Sequence, residues 1–251
     1  MIPARLHSSR LPEKPLHPIL GRPLLEWVWR RVSQMRVFDR LLVAADAPAV
    51  RRLCKSIGAP VVMTDPGLPS GTDRVWEVAR QREFRAFPVI VNVQGDEPLV
   101  EENHLEEAVR LVREHGWGVG TCAAPLRTVT AREDPSVVKV ARAAGGRALY
   151  FSRSPIPAKR DREPEEEELA RPPFLRHLGV YAYRRDALAR WVGLEPSPLE
   201  RLERLEQLRA LEDGISIGVA VVEQAGPGVD TPGDVLHMEG ILSGSSRGQS
   251  P

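Results

Sequence analysis

The run Pro88–Pro98 (PVIVNVQGDEP) constrains the fold of this chain more than any other stretch. Its β-branched residues form a short, almost continuous apolar segment, typical of a strand buried on both faces of a parallel sheet. Gly95 permits a turn and Pro98 cannot continue the ladder, so the strand ends there. Asp96 is therefore predicted just beyond the carboxyl end of a buried strand, where ligands bind in open α/β sheets and where a carboxylate suits a hard divalent cation. A merely polar turn is the alternative, and this segment leaves both open.

Apolar strand-like runs alternate with amphipathic helical patterns through the first half of the chain. Predicted strands cover 40–45, 61–63, 89–93 and 119–124, and predicted helices cover 24–35, 48–57, 73–81 and 102–114. Strands that alternate with helices imply right-handed crossovers. The fold class is therefore predicted to be α/β, with a doubly wound, mostly parallel sheet.

The second half changes character and predicts a smaller mixed β/α lobe. Predicted strands cover 137–141, 148–152, 174–183 and 215–222. The segment Pro198–Glu212 repeats leucine every third residue and predicts one long helix. The charged run Lys159–Glu168 predicts a solvated, mobile loop, and the low-complexity tail Ser243–Pro251 predicts disorder. We expect one domain over residues 1–242, divided at about 124 and 222.

Composition excludes several function classes. The chain has 251 residues, is 42% hydrophobic and carries a formal net charge of +1, so no global field draws it to nucleic acid or to an anionic membrane. Cys54 and Cys122 lack metal-ligand spacing and form no disulfide framework, which favours a reducing cytoplasm. The N-terminal segment lacks the apolar core of a signal peptide, and no apolar run approaches membrane-spanning length.

Two loops carry residues suited to nucleotide binding. The proline-stiffened loop 5–15 holds Arg5, Ser8, Ser9, Arg10 and Lys14, whose cations and hydroxyls are able to bind a polyphosphate. A disordered basic arm is the alternative. The run Ser70-Gly71-Thr72 precedes a predicted helix and would present backbone donors to a nucleotide. A plain N-cap role for Thr72 is the alternative there.

The segment Gly228–Asp234 (GVDTPGD) begins a helix near the C-terminus. Thr231 suits the N-cap, Pro232 the first helical position and Asp234 the third. Asp230 precedes the cap, so capping does not account for it.

Eight stretches together resemble one family, the 3-deoxy-manno-octulosonate cytidylyltransferases. They are IPAR (2–5), SRLPEKPL (9–16), SGTDR (70–74), VNVQGDEP (91–98), ALYFSR (148–153), FLRHLGVYAYR (174–184), PSPLERLERLEQLR (196–209) and GVDTPGD (228–234). QGDEP alone points only to sugar nucleotidyltransferases. The combination of RHLGVYAY with PSPLE and LEQLR points to the family acting on 3-deoxy-D-manno-octulosonate (Kdo) rather than on sialic acid.

The resemblance implies an enzyme that couples Kdo to CTP, releasing CMP-Kdo and pyrophosphate for lipopolysaccharide biosynthesis. It implies a Mg²⁺ cofactor, a cytoplasmic location and a homodimer formed through the second half. Residues 1–124 would then bind nucleotide, 125–222 would bind sugar and dimerise, and 223–242 would return to the nucleotide site. Activation of another sugar acid, such as sialic acid, is an alternative. A non-catalytic nucleotide-binding protein is another.

The resemblance also implies roles for individual residues. The phosphates of CTP would be bound by Arg5, Ser9 and Lys14, and its cytidine side by Ser70, Thr72 and Arg74. Mg²⁺ would be bound by Asp96 and Asp230. Kdo would be bound by Gln94, Arg160, His177, Tyr181, Glu206 and Gln207. Arg5, Lys14, Asp96 and Asp230 would form the catalytic set. The residues alone favour a satisfied core histidine for His177 and a place on a solvated helix face for Glu206.

The chain departs from the family pattern at three places. Only Met1 precedes Ile2, where relatives have several apolar strand residues; we expect the natural protein to begin upstream and the shortened strand to leave its backbone partners exposed. Glu13 replaces the usual glycine beside Lys14. Ala158-Lys159 replaces Trp-Asp before Arg160, which weakens the role implied for Arg160.

Overall fold

The computed structural model describes residues 1–8 and 10–246 of the chain. The strands are β1 (Ile2–Ala4), β2 (Pro18–Ile19), β3 (Arg22–Pro23), β4 (Val43–Ala45), β5 (Val61–Met63), β6 (Val89–Val93), β7 (Val119–Pro125), β8 (Lys139–Arg142), β9 (Ala148–Ser152), β10 (Leu175–Arg184) and β11 (Ile217–Val221). The helices are α1 (Leu24–Val32), α2 (Pro48–Ser56), α3 (Gly71–Ala79), α4 (Glu102–Arg113), α5 (Val129–Glu133), α6 (Glu166–Leu169), α7 (Arg185–Val192), α8 (Pro198–Glu203), α9 (Gln207–Glu212) and α10 (Pro232–Ser246), with 3₁₀ helices at Lys14–Leu16 and Arg82–Phe84.

The chain divides into two compact units. The first comprises Met1–Arg85, Asn92–Glu102 and the segment that begins at Gly226; the second comprises Ala86–Val91 and Asn103–Ala225. The boundary between these units differs from the boundary predicted at about residue 124, because α4 and β7 belong to the second unit. The first unit resumes at Gly226, close to the predicted return at 223.

The first unit is built on a parallel sheet in the order β1–β4–β5. Ile2 and Val43 are completely buried, as expected for strands covered on both faces. The short β1 is bonded on both sides: the Ile2 N–H donates to the Leu42 carbonyl at 2.9 Å, and the Val93 N–H donates to the Met1 carbonyl at 3.0 Å. The expectation that these backbone partners would be exposed is therefore wrong. The loops after these strands meet at the carboxyl edge of the sheet.

The second unit contains a mixed sheet in the order β11–β7–β10–β8–β9, with β6 also paired to β10. β7 pairs in parallel with β11 and antiparallel with β10, which explains why β7 belongs here. At Gly120 on β7, a Cβ atom would lie 2.1 Å from the Ala108 carbonyl oxygen of α4, so the close helix–strand packing requires glycine. The pairing of β10 with β7 is interrupted between His177 and Tyr181.

The predicted single helix at 198–212 is wrong. Two short helices, α8 and α9, are separated at Arg204, whose φ of 52° is left-handed. A three-residue repeat drifts by about 60° per step around a helix, so one continuous helix cannot bury every leucine. The break buries Leu205 and Leu208 and leaves Leu202 80% exposed.

The charged run Lys159–Glu168 is largely exposed to solvent, as its composition predicts, and several of its charged side chains are paired. Lys159 pairs with Glu168 at 2.5 Å, and Arg132 pairs with Glu163 at 2.7 Å. Glu165 and Glu168 form a capping box at the start of α6. The acidic residues are therefore compensated by nearby cations and by a helix N-terminus.

Helix α10 extends to Ser246, so the prediction of disorder is wrong for residues 243–246. Residues 247–251 of the predicted tail lie outside the described residues. Within the described part of the chain, no helix is both long enough and apolar enough to cross a membrane.

Candidate active site

The loop after β1 is anchored by apolar side chains. Leu11 is 1% exposed and packs in a cluster with Leu24 from α1 and with Val229 and Met238 from the C-terminal segment. Pro15 is buried inside the 3₁₀ helix that begins at Lys14. The described part of this loop is therefore an ordered support for Arg10 and Lys14, not a disordered arm.

Asp230 is positioned by its neighbours on both sides. The Val229 side chain is fully buried, and its N–H donates to the Asp96 carbonyl at 2.9 Å. On the other side, the Thr231 N–H donates to Asp234 Oδ2 at 2.8 Å, which confirms the predicted helix cap. Upstream, a Cβ at Gly226 would lie 2.4 Å from the Leu99 Cβ, so glycine lets this segment run alongside the loop that carries Asp96.

Lys14, Asp96 and Asp230 meet as the sequence predicts, although the two aspartates lie far apart in the chain. The Lys14 Nζ donates to Asp96 Oδ2 and, at 2.6 Å, to Asp230 Oδ1. Arg10 Nη2 lies 3.0 Å from Asp230 Oδ2. Two carboxylates are thus balanced by two cations. Arg10 lies in the loop that was predicted to bind a polyphosphate, although the family resemblance gives it no role of its own.

The hydrogen-bond partners of Lys14 stabilise its positive charge. Burial lowers the pKa of Lys14, but the charges and hydrogen bonds of Asp96 and Asp230 outweigh burial and raise that pKa above its ordinary value. Lys14 therefore remains an ammonium group at neutral pH.

The donor set at Asp96 and Asp230 fits a divalent cation. Asp96 Oδ1 is buried and has no hydrogen-bond partner among the described residues. The described residues contain no group of three or more His, Cys, Asp or Glu side chains that would hold a metal by themselves. Two carboxylates suit Mg²⁺, which commonly binds one or two carboxylates and completes its shell with water and substrate phosphates.

The N-cap of α3 is Ser70 and not Thr72. Ser70 Oγ accepts hydrogen bonds from the Thr72 N–H at 3.1 Å and the Asp73 N–H at 3.2 Å. Arg5 Nη1 donates to the Pro69 carbonyl at 2.8 Å, so it ties the loop after β1 to this helix start. Ser9, the third predicted phosphate ligand, lies outside the described residues.

Arg74 is completely buried and joins three loops. Its guanidinium donates to Thr64 Oγ1 and to the Asp65 carbonyl at 3.1 Å, both after β5, and lies 3.3 Å from Asp46 Oδ2, after β4. Asp46 Oδ1 in turn accepts from the Leu6 N–H, after β1, at 3.0 Å. Burial lowers the pKa of Arg74, and Asp46 opposes that effect. Arg74, which the resemblance assigns to the cytidine side, is therefore buried and bonded to the loops that follow β4 and β5.

In the second unit, His177 is partly buried and bonded. Its Nε2 lies 2.9 Å from Thr121 Oγ1. The Thr121 hydroxyl donates its one proton to the Val180 carbonyl at 2.6 Å, so Nε2 of His177 is the donor to Thr121. Burial lowers the pKa of His177 to about 3, so the ring is neutral at physiological pH. His177 therefore adds no positive charge to the group of residues that the resemblance assigns to Kdo.

The other residues predicted for the sugar acid take varied positions. The rings of His177 and Tyr181 lie 5.2 Å apart, and Tyr181 stacks on Tyr183 at 5.7 Å. Burial raises the pKa of Tyr181 well above its usual value, and the charge of Glu206 adds to this. Gln207 is buried and Arg160 is exposed. Gln94 belongs to the first unit and the other five belong to the second.

Comparisons with known proteins agree with the fold. A family model described as cytidylyltransferase matches residues 1–217. The chain therefore belongs to the cytidylyltransferase family. Its curated relatives include the 3-deoxy-manno-octulosonate cytidylyltransferases of Gemmatimonas aurantiaca, 48% identical over 94% of this chain and 91% of the relative, and of Halorhodospira halophila, 45% identical over 94% and 93%.

A solved structure extends this similarity to three dimensions. The chain matches a CMP:2-keto-3-deoxy-manno-octonic acid synthetase complexed with CTP at a TM-score of 0.86, with 38% identity and 97% of both chains covered. A cytidylyltransferase from Leptospira borgpetersenii, with 15% identity and a TM-score of 0.59, shares the fold alone. The predicted α/β fold class is confirmed.

Proposed function

We propose that this chain transfers CMP from CTP to Kdo, giving CMP-Kdo and pyrophosphate. The observation that carries the proposal is the meeting of Lys14, Asp96 and Asp230 in a chain similar over nearly its whole length to Kdo cytidylyltransferases. In the reaction, a Kdo hydroxyl oxygen bonds to the α-phosphorus of CTP. The bond from that phosphorus to the bridging oxygen breaks, pyrophosphate leaves and the hydroxyl loses its proton.

The first unit supplies the groups that this reaction requires. Lys14 and Arg10 are cations close to the carboxylate pair, and the proposal assigns them, with Arg5, to the triphosphate. Asp96 and Asp230 would hold Mg²⁺, which when bound neutralises the triphosphate and the leaving pyrophosphate. The backbone at the start of α3, with Ser70 and Thr72, would face the cytidine.

The proposal assigns the Kdo carboxylate and hydroxyls to the remaining predicted residues, which are Gln94, Arg160, His177, Tyr181, Glu206 and Gln207. Since His177 is neutral, it would act by hydrogen bonding and not by charge. Arg160 is the cation of this set and is exposed, so it is available to pair with a carboxylate.

Product analysis tests the proposal. The purified chain is incubated with Mg²⁺, CTP or UTP, and either Kdo or N-acetylneuraminate, and the nucleotide products are identified by mass spectrometry. We expect CMP-Kdo from CTP with Kdo, and little product from the other three pairs. CMP-neuraminate as the main product would identify a sialic acid enzyme. CTP binding without any product would identify a non-catalytic nucleotide-binding protein.

We also propose a cytoplasmic homodimer, with CMP-Kdo used as a donor in lipopolysaccharide biosynthesis. Cytoplasmic CTP is the substrate that supports the location. Leu149 on β9 and Leu202 on α8 are 52% and 80% exposed, which supports a contact through the second unit. Analytical ultracentrifugation should show a dimer that Leu202→Glu weakens and that Leu236→Glu, on an exposed position of the first unit, leaves intact.

A further inference from the structure

The Lys14 ammonium group lies between the carboxylates of Asp96 and Asp230. Its Nζ contacts Asp96 Oδ2 and lies 2.6 Å from Asp230 Oδ1. The second Asp230 oxygen, Oδ2, lies 3.0 Å from Arg10. Three of the four carboxylate oxygens are therefore engaged by the chain's own cations, and Asp96 Oδ1 is the oxygen without a hydrogen-bond partner among the described residues.

We propose that, in the absence of nucleotide, Lys14 excludes the divalent cation from the Asp96–Asp230 pair, so that the ion binds together with the nucleotide and not before it. This inference rests on the proposed function. An ammonium group and a divalent cation that share the same two oxygens repel each other strongly at this distance. Lys14 must therefore leave the carboxylates before Asp96 and Asp230 are able to bind the ion.

The triphosphate supplies the reason for Lys14 to leave. The triphosphate carries more negative charge in total than the two carboxylates. Its oxygens offer the Lys14 ammonium group new hydrogen-bond acceptors. The lysine side chain has a flexible four-carbon stem and three rotatable donors, so it is able to change partners without backbone movement. The backbone of Lys14 stays in place because Pro15 and Leu11 are buried beside it.

Metal binding in the absence of nucleotide tests the proposal. Mn²⁺ binding is measured by the loss of its free electron paramagnetic resonance signal, with the wild-type chain, Lys14→Met and Lys14→Arg. Lys14→Met removes the charge and keeps an unbranched stem, whereas Lys14→Arg keeps the charge. Lys55→Met, at an exposed lysine on α2, is the matched control.

We expect Lys14→Met to bind Mn²⁺ about tenfold or more tightly than the wild type without nucleotide, because a nearby positive charge has been removed. Lys14→Arg and Lys55→Met should bind as weakly as the wild type. The tightening should disappear in Lys14→Met/Asp96→Asn, which assigns the ion to the carboxylate pair. A rise in melting temperature on adding Mn²⁺ to Lys14→Met, and not to the wild type, is the second expected result.

Equal Mn²⁺ affinity of Lys14→Met and the wild type would overturn the proposal, whether both bind tightly or neither binds. Neither result would affect the proposed function, which is decided separately by product analysis of the wild type. If the wild type forms CMP-Kdo and also binds Mn²⁺ tightly without nucleotide, the proposed role of Lys14 is rejected and the proposed function is kept.

Discussion

At the scale of single residues, Glu13 combines backbone strain with an unfavourable charge. It adopts left-handed dihedrals, with φ of 49°, immediately before Lys14. This conformation costs a non-glycine residue about 1–2 kcal/mol, which glycine avoids although it also loses more chain entropy on folding. The left-handed geometry gives a physical reason for the glycine that the family pattern has at this position.

We predict that Glu13→Gly lowers the KM for CTP by about twofold to fivefold, because it removes a negative charge beside Lys14, the proposed phosphate ligand. Glu13→Gln should lower that KM to a similar extent while keeping the strained backbone. Glu114→Gln, at an exposed position of the second unit, should leave it unchanged. Steady-state kinetics at two salt concentrations measures the effect, and an unchanged KM in both Glu13 variants would contradict the charge argument.

His177 makes stability depend on pH. Burial lowers its pKa from 6.5 to about 3 in the folded chain, so the folded state favours the neutral ring. Its contribution is fully present above pH 6.5 and is lost as the pH falls toward 3, because the unfolded chain then binds a proton that the folded chain does not. One such group changes the free energy of unfolding by at most about 1.4 kcal/mol per pH unit.

We predict that His177→Gln flattens the fall in the free energy of unfolding between pH 6.5 and pH 4.5, since glutamine does not titrate there and is able to donate to Thr121. Urea denaturation at several pH values measures this difference. His237→Gln removes an exposed histidine and should leave the profile as in the wild type. Parallel profiles for the wild type and His177→Gln would show that His177 does not titrate as described.

At the scale of elements, the pair Arg74–Asp46 connects the loops that follow β1, β4 and β5. Neither side chain is appreciably exposed, at 0% and 4%. Breaking a buried ion pair by removing one partner leaves an uncompensated charge and costs about 3–5 kcal/mol. The pair therefore stabilises the first unit and also holds the loop that carries Arg5.

We predict that Asp46→Asn lowers the free energy of unfolding by about 3 kcal/mol and raises the KM for CTP more than the KM for Kdo. The amide keeps the size of the side chain and an acceptor for the Leu6 N–H, so the loss of charge is the main change. Asp39→Asn, an exposed control, should change stability by less than about 0.5 kcal/mol. Asp46→Asn as stable as this control would contradict the described role of the pair.

Elements were predictable from sequence where local pattern and burial agree. β5 and β9 have the predicted bounds, and the apolar run before Asp96 is the predicted strand. The break at Arg204 was not predictable, because arginine carries no preference for a left-handed backbone. The cap at Ser70 was also not predictable, because serine and threonine both cap helices. The helix start depends in addition on Gly71, where a Cβ would lie 3.3 Å from Pro3.

At the scale of the whole molecule, the candidate site could be predicted in part. The ends of parallel strands meet at one edge of a sheet, which brings the loop with Asp96 near the loop with Lys14. The resemblance added Asp230, whose neighbour Val229 is buried against Leu11. The hydrogen bond from His177 to Thr121 joins residues 56 positions apart, and no local pattern encodes it.

The most direct test of the account is pyrophosphate release from the wild type and from Asp96→Asn with CTP, Mg²⁺ and Kdo. We predict Kdo-dependent release by the wild type and a rate lower by about a hundredfold or more for Asp96→Asn, since a carboxylate of the proposed metal pair is lost. Circular dichroism should show that the variant keeps its fold. Wild-type release that does not require Kdo, or a folded Asp96→Asn with the wild-type rate, would contradict the account.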